Sequence, residues 1–255
     1  MRRVGLTRPA LAFGLALALA AAWPAGAQND VFPPGYLAPG AIDGAALLGP
    51  PPSADSLEGQ VDQLRFAQTR ALAGTPRWAL ATRDSDLRAG IGQRFSCAAG
   101  ITLSQTATPR TWRLLTRIDG DVRATGTPPK DFYGRRRPPL GNDAPICVPR
   151  AKWMETNASY PSGHAMLGWS WALVLAELVP ARSDALFQNG RDFGESRAIC
   201  GLHYESDVEA GRLLASAMVA KLHANAAFVA DEAAARTELR RAARRPAPND
   251  CADYR

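Results

Sequence analysis

After about residue 53, apolar side chains recur at helical spacing, and nowhere do they alternate with polar ones for more than a few positions. A repeat near 3.6 marks a helix with one buried face, whereas a half-buried strand would alternate. Ser53 or Asp55 can cap a first helix running to about Ala73. Thr75-Pro76 sets a capping residue ahead of a proline at the first helical position, which predicts a helix to near Gly90. Thr108-Pro109 repeats the arrangement and opens another, with Trp112, Leu115 and Ile118 on one face. Pro128-Pro129 is expected to start a short separate helical piece that stops by Arg137, because Pro138-Pro139 push the preceding residue out of the α region. A loop follows to about Tyr160. His164 to Leu178 is strongly apolar and predicts a buried central helix, too short for a membrane span of ~20 residues. Ser183 can cap the next helix, to about Ala198. Gly201 breaks the pattern, and two more helices are predicted from about His203 to His223 and from about Asn225 to Arg244. The fold class expected is all-α: a single-domain helical bundle over residues 53–245, with a tail at 246–255.

The stretch before residue 53 reads differently. Arg2, Arg3 and Arg8 precede an apolar run from Leu11 to about Trp23, and Ala25-Gly26-Ala27 suits a small-residue cleavage site. Residues 1–27 are therefore expected to be an export signal cut after Ala27, and the protein to be periplasmic or secreted, with no membrane segment in its mature form. Residues 28–52, rich in Pro and Gly, read as an extended arm laid on the domain or on a neighbouring subunit. The net charge of +6 falls by half once Arg2, Arg3 and Arg8 leave with the signal, so the basic balance does not argue for nucleic acid as a partner. Four cysteines, Cys97, Cys147, Cys200 and Cys251, remain. An even count in an exported chain favours two disulfides, and spacing leaves all three connectivities open. Without a CxxC pair, no zinc site is expected.

Three segments carry candidate chemistry. Lys130 and Arg137 stand seven residues apart, which on a helix puts both on one face; Arg supplies a bidentate fork for phosphate oxygens and Lys a point charge. Alone, Arg135-Arg136-Arg137 reads more readily as a solvated basic run. Pro161-Ser162-Gly163-His164 precedes the apolar helix. Ser162 can cap it, Gly163 lets a ligand approach the backbone, and free N–H groups at a helix start attract anions. His164 there can donate a proton to a leaving oxygen. In the third segment, Arg197 adds a cation, while His203 and Asp207 are spaced to meet on a helix. A carboxylate on one imidazole nitrogen leaves the other with a lone pair, as a nucleophile needs. Separately, each segment has a plain structural reading: a capping turn, or a surface His–Asp pair.

Together, the pattern Lys-x6-Arg-Pro, Pro-Ser-Gly-His and Ser-Arg-x5-His-x3-Asp resembles the signature of the type 2 phosphatidic acid phosphatase superfamily. The strings Ala-Ser-Tyr-Pro-Ser-Gly-His (158–164) and Gly-Glu-Ser-Arg-Ala-Ile-Cys-Gly-Leu-His-Tyr-Glu-Ser-Asp-Val (194–208) are similar to bacterial class A nonspecific acid phosphatases in particular. The resemblance spans roughly residues 36 to 228. It implies hydrolysis of phosphate monoesters through a phosphohistidine on His203, oriented by Asp207, with His164 as leaving-group acid. Lys130, Arg137, Arg197, Ser162 and the Gly163 amide would hold the phosphate oxygens. It implies no metal and no cofactor, small-molecule phosphomonoesters as substrates, a homo-oligomer, and a Cys147–Cys200 bond that leaves Cys97 for Cys251. Two other functions share the constellation, a vanadium-dependent haloperoxidase and a non-catalytic phosphate-binding protein. A multi-span lipid phosphatase is disfavoured by hydropathy.

Overall fold

The computed structural model describes Met1 and residues 33–87 and 90–254; the export signal expected at 1–27 otherwise lies outside the described residues. Ten α-helices and no strand occur among the described residues. They are α1 (Gly44–Leu48), α2 (Leu57–Arg70), α3 (Pro76–Arg83), α4 (Gly90–Ala99), α5 (Pro109–Tyr133), α6 (Trp153–Thr156), α7 (Gly163–Leu178), α8 (Ser183–Ile199), α9 (Glu205–Leu222) and α10 (Ala226–Ala242).

α7 is the central helix. Its apolar residues pack against α8 and α9, with α5 also in contact. Met166 and Leu175 are fully buried, and each contributes about 1.5–3 kcal/mol. Trp171 on α7 meets the edges of Phe95 and Trp112, at ring separations of 5.6 and 6.0 Å. Among the described residues, no single helix is long and apolar enough to cross a membrane.

Several boundaries differ from expectation, each for a local reason. The cap of α2 is Ser56, whose hydroxyl accepts from the Gly59 amide at 3.0 Å, not Ser53 or Asp55. The helix expected from Thr75 to Gly90 stops at Arg83, because Asp84 turns inward to a buried ion pair with Arg94 of α4 at 2.7 Å. Pro128 and Pro129 do not start a new helix; they lie inside α5, which runs on to Tyr133. A proline at 129 deprives the Thr125 carbonyl of its helical donor, and Gly44 of the arm packs there, where a Cβ would stand 3.2 Å from that oxygen. α5 ends at Gly134, in the left-handed conformation. Lys130 and Arg137 therefore do not share a helical face; Arg137 lies in the loop beyond. Ser183 is the first residue of α8, and Arg182 is its cap. α9 starts at Glu205, so His203 precedes the helix.

From residue 33 on, the arm lies on its own domain. The Tyr36 and Leu37 amides donate to the Asp121 carboxylate of α5 at 2.8–2.9 Å, and the Tyr36 ring meets Phe228 of α10 edge-on. Both disulfides implied by the resemblance are present. Cys97–Cys251 ties the tail to α4, and Cys147–Cys200 ties the 134–152 loop to the end of α8.

Candidate active site

The loop that carries His203 is held from three directions. Cys200 is bonded to Cys147. Arg70 of α2 donates to the Ala198 and Ile199 carbonyls at 3.0 and 2.6 Å, which satisfies the open end of α8. Gly201 turns with φ 76°, and a Cβ there would meet Arg70 Nη1 at 2.2 Å. Only glycine suits both the backbone and the space. The chain then enters α9 with Asp207 at its third position, where the carboxylate accepts from the Tyr204 amide at 2.8 Å.

The first turn of α7 sits against this loop. The Ser162 amide donates to the Asp207 carbonyl at 2.8 Å, and the Ser162 hydroxyl caps α7 by accepting from the Ala165 amide. Gly211 of α9 makes the approach possible, since a Cβ there would stand 2.6 Å from the Ser162 carbonyl oxygen.

Six of the eight residues expected at the site, Lys130, Arg137, Gly163, His164, Arg197 and His203, line one cavity of about 600 Å³. Ser162 and Asp207 are fully buried behind that lining. Lys130 Nζ donates to the Ala158 carbonyl at 2.6 Å. Arg137 is held by the Asn157 carbonyl and side chain, at 2.7 and 2.9 Å, and by the Leu202 carbonyl at 2.9 Å. Arg197 differs: it is buried, yet its Nε and Nη1 have no hydrogen-bond partner. Buried guanidinium donors are rarely left unmatched, and Arg197 lines the same cavity as Lys130 and Arg137.

The hydrogen bonds fix the state of both imidazoles. Arg137 Nη1 lies 2.9 Å from His203 Nε2. Guanidinium can only donate, so Nε2 carries the lone pair and Nδ1 the proton. Nδ1 faces Ser159 Oγ at 3.3 Å and Asp207 Oδ2 at 3.4 Å. Ser159 in turn donates to Asp207 Oδ2 at 2.5 Å. Asp207 Oδ1 accepts from Arg135 at 2.6 Å, and Arg135 also binds Asp62 of α2 at 2.8 Å. The carboxylate thus takes donors on both oxygens, while the His203 Nε2 lone pair faces Arg137 and the ring lines the cavity. The expected His203–Asp207 contact forms, although across a helix start and not along a helix. His164 Nε2 lies 3.3 Å from the Ser85 carbonyl, which can only accept, so that nitrogen carries a proton.

Ser159, Arg135 and Asn157 were not singled out from sequence. Ser159 stands inside the string 158–164, but nothing in its spacing ties a serine to residues 44 and 48 positions away. Arg135 belonged to a run that a solvated face would explain as well.

Crowded cations shape the electrostatics. Burial, then Arg137 and Arg197, pull Lys130 down to about 7. Burial brings Arg137 to about 10; burial and Arg137 bring Arg197 to about 9. Both imidazoles are held well below the usual histidine range, first by burial, then for His164 by Arg197 and for His203 by Arg137 and Lys130. A depressed lysine loses its charge as pH rises through about 7, so the triad of cations is complete only on the acid side. Sulfate, a dianion throughout, should weaken by up to about tenfold per pH unit as the pH rises above 7 and Lys130 loses its charge. Lys130→Arg should move that limb to higher pH. Isothermal titration with sulfate between pH 5 and 9 measures both.

A family model described as the PAP2 superfamily matches residues 122–228, which hold every residue of the cavity's cationic wall. An acid phosphatase of Zymomonas mobilis subsp. mobilis is 41% identical over 207 residues, covering 78% of this chain and 76% of the relative. Non-specific acid phosphatases of Providencia stuartii and Salmonella typhimurium are 39% and 36% identical, over 74% and 78% of this chain and 77% and 80% of their own. The chain belongs to the PAP2 superfamily, among its bacterial non-specific acid phosphatases.

Proposed function

We propose that this protein is an exported, metal-independent acid phosphatase that hydrolyses phosphate monoesters through a phosphohistidine at His203. The observation that carries the reading is the pairing of a buried, unmatched Arg197 guanidinium with a His203 Nε2 lone pair on one cavity wall. Lys130, Arg137, Arg197 and the Gly163 amide hold the phosphoryl oxygens, and Ser162 supports the turn that presents that amide. Arg137 turns from Nε2 to the phosphate as substrate enters. His203 Nε2 attacks phosphorus and the P–O ester bond breaks. Protonated His164 gives its proton to the leaving oxygen. His164 then takes a proton from water, the hydroxide attacks phosphorus, the P–N bond breaks and phosphate departs. The three fixed cations offset the charge that a metal pair would otherwise neutralise.

Acid operation follows from the same groups. His203 stays neutral and nucleophilic in acid because its pKa is depressed, and Lys130 is charged there. His164 must gain a proton, and a bound phosphate dianion beside it supplies the field that raises its pKa. Export is supported by the basic-then-apolar pattern of residues 1–27 and by two disulfides, which persist in oxidising compartments.

The test is phosphate release from phenyl phosphate, sugar phosphates and nucleotides at pH 5 to 6, with and without a chelator. Turnover insensitive to the chelator supports the reading. Binding without turnover, or halide oxidation by vanadate-loaded protein without phosphatase activity, contradicts it. The role of His164 has its own test. His164→Ala should slow alkyl phosphates by at least about 10²-fold, and p-nitrophenyl phosphate far less, because a good leaving group needs little protonation. Equal losses on both would remove His164 as the acid.

A further inference from the structure

The cavity extends well past the phosphate cradle. Along α5, Asp119, Val122, Arg123, Gly126, Thr127 and Lys130 all line it, at the spacing of a single helical face. Lys130 marks the cationic end. Asp119, eleven residues earlier, lies about 16 Å away along the helix axis. α7 gives a second measure. His164 and Leu167 line the cavity, and Trp171, seven residues beyond His164, donates its indole N–H to Asp119 Oδ1 at 2.9 Å. Asp119 is thus about 10 Å past the leaving-group acid. Between them lie Val122 on α5 and Leu167 on α7, and Leu87 also lines the cavity.

A carboxyl in that position is informative. It stands at the end of the cavity away from the cationic cradle, where Trp171 and Arg123 support it and it faces a different part of a ligand from the phosphate. Burial pushes it up to about 7, against the opposing pull of Trp171 and Arg123, which lets it coexist with a bound phosphate. Trp171 fixes its orientation through one oxygen.

We propose that Asp119 is a specificity-determining residue. It accepts hydrogen bonds from the distal end of the leaving group, and so favours phosphomonoesters that carry an N–H or O–H edge about 10 Å beyond the ester oxygen. The apolar residues between cover the flat or aliphatic middle of such a group. A nucleoside with donors on its base has these features, with the 5′ oxygen at His164 and the base edge at Asp119. The proposal rests on the phosphatase reading above.

The experiment compares kcat/KM for guanosine 5′-monophosphate, purine riboside 5′-monophosphate and phenyl phosphate, in wild type, Asp119→Asn and Asp119→Ala. Guanine offers two N–H donors that the unsubstituted purine lacks. At pH 8, where the Asp119 carboxyl has lost its proton, wild type should prefer guanosine over purine riboside by about tenfold or more, mainly through KM, as expected for hydrogen bonds to a charged group, and the preference should shrink at pH 5 to 6 as the carboxyl gains a proton. In Asp119→Asn the amide oxygen remains for Trp171 and the NH2 faces the ligand, so the preference should fall below about threefold. Asp119→Ala should do the same. A wild-type enzyme without the preference overturns the proposal. So does an Asn variant that keeps it, or a loss of equal factor on all three substrates, which would mark Asp119 as an anchor for Trp171 alone. Absence of wild-type turnover of phenyl phosphate would instead sink the phosphatase reading, so the two failures are distinguishable.

Discussion

His203→Ala is expected to lower kcat for phenyl phosphate by at least about 10⁴-fold, the scale seen when a catalytic nucleophile is removed, while sulfate binding persists. His203 is buried, and its Nε2 is the one imidazole nitrogen shown by an Arg137 contact to hold a free lone pair. The change deletes that lone pair but spares Lys130, Arg197 and the Gly163 amide. Removing Nε2 also frees the Arg137 Nη1 that faces it, so anion affinity should hold or rise slightly. Rapid quench into alkali with radiolabelled substrate should give a labelled protein for wild type and none for the variant. A variant that kept more than about one part in a hundred of the wild-type kcat would mean that water attacks phosphorus directly.

Asp207→Asn should cost about 10³–10⁴-fold in kcat with little change in KM, the loss expected when the carboxylate that orients a catalytic imidazole becomes an amide. Asp207 is fully buried and takes hydrogen bonds from Arg135, Ser159 and the Tyr204 amide, besides facing His203 Nδ1. An amide there cannot accept from all of these, so one donor is left unmatched and the imidazole loses an acceptor facing Nδ1–H. Breaking the buried Arg135–Asp207 pair also destabilises the fold, by about 3–5 kcal/mol, so activity is to be read well below the unfolding midpoint. Ser159→Ala is the sharper probe. It removes the hydroxyl between Nδ1 and Oδ2 without touching a charge, and should lower kcat by about 10–10²-fold. The chain has three histidines, so nitrogen-15 spectra of the imidazoles are simple to assign. Wild-type His203 should show a single Nδ1–H tautomer; both variants should keep it through Arg137 but shift the Nδ1 resonance, because the acceptor side of Nδ1–H is altered. A reduced kcat with an unchanged Nδ1 resonance would make Ser159 and Asp207 packing residues only.

The site was legible where function fixes residue type and spacing together. Lys130, Arg137, Gly163, His164, Arg197 and His203 could be named because three short segments carry phosphate-suited residue types at motif spacing, and all six line one cavity. The helices were legible where a local cap or periodicity governs them, as at Thr75-Pro76, Thr108-Pro109 and the apolar α7. Errors arose where tertiary contacts override local propensity. The Arg94 partner ends α3 early by drawing Asp84 inward, and packing of the arm tolerates two prolines inside α5. Ser159, Asn157 and Arg135 were hidden for the same reason, since their roles depend on partners distant in sequence. The Cys147–Cys200 bond came from resemblance, because four cysteines alone allow three pairings.

Orthovanadate is the most direct probe of the whole account, because its trigonal-bipyramidal form mimics the phosphoryl group in transfer. In a crystal soaked with vanadate, vanadium should be bonded to His203 Nε2. Its equatorial oxygens should take hydrogen bonds from Lys130, Arg137, Arg197 and the Gly163 amide, with the axial oxygen opposite His203 within reach of His164. Vanadate bound elsewhere, or held by the cations with His203 still turned to Arg137 and no bond to vanadium, would contradict an imidazole nucleophile.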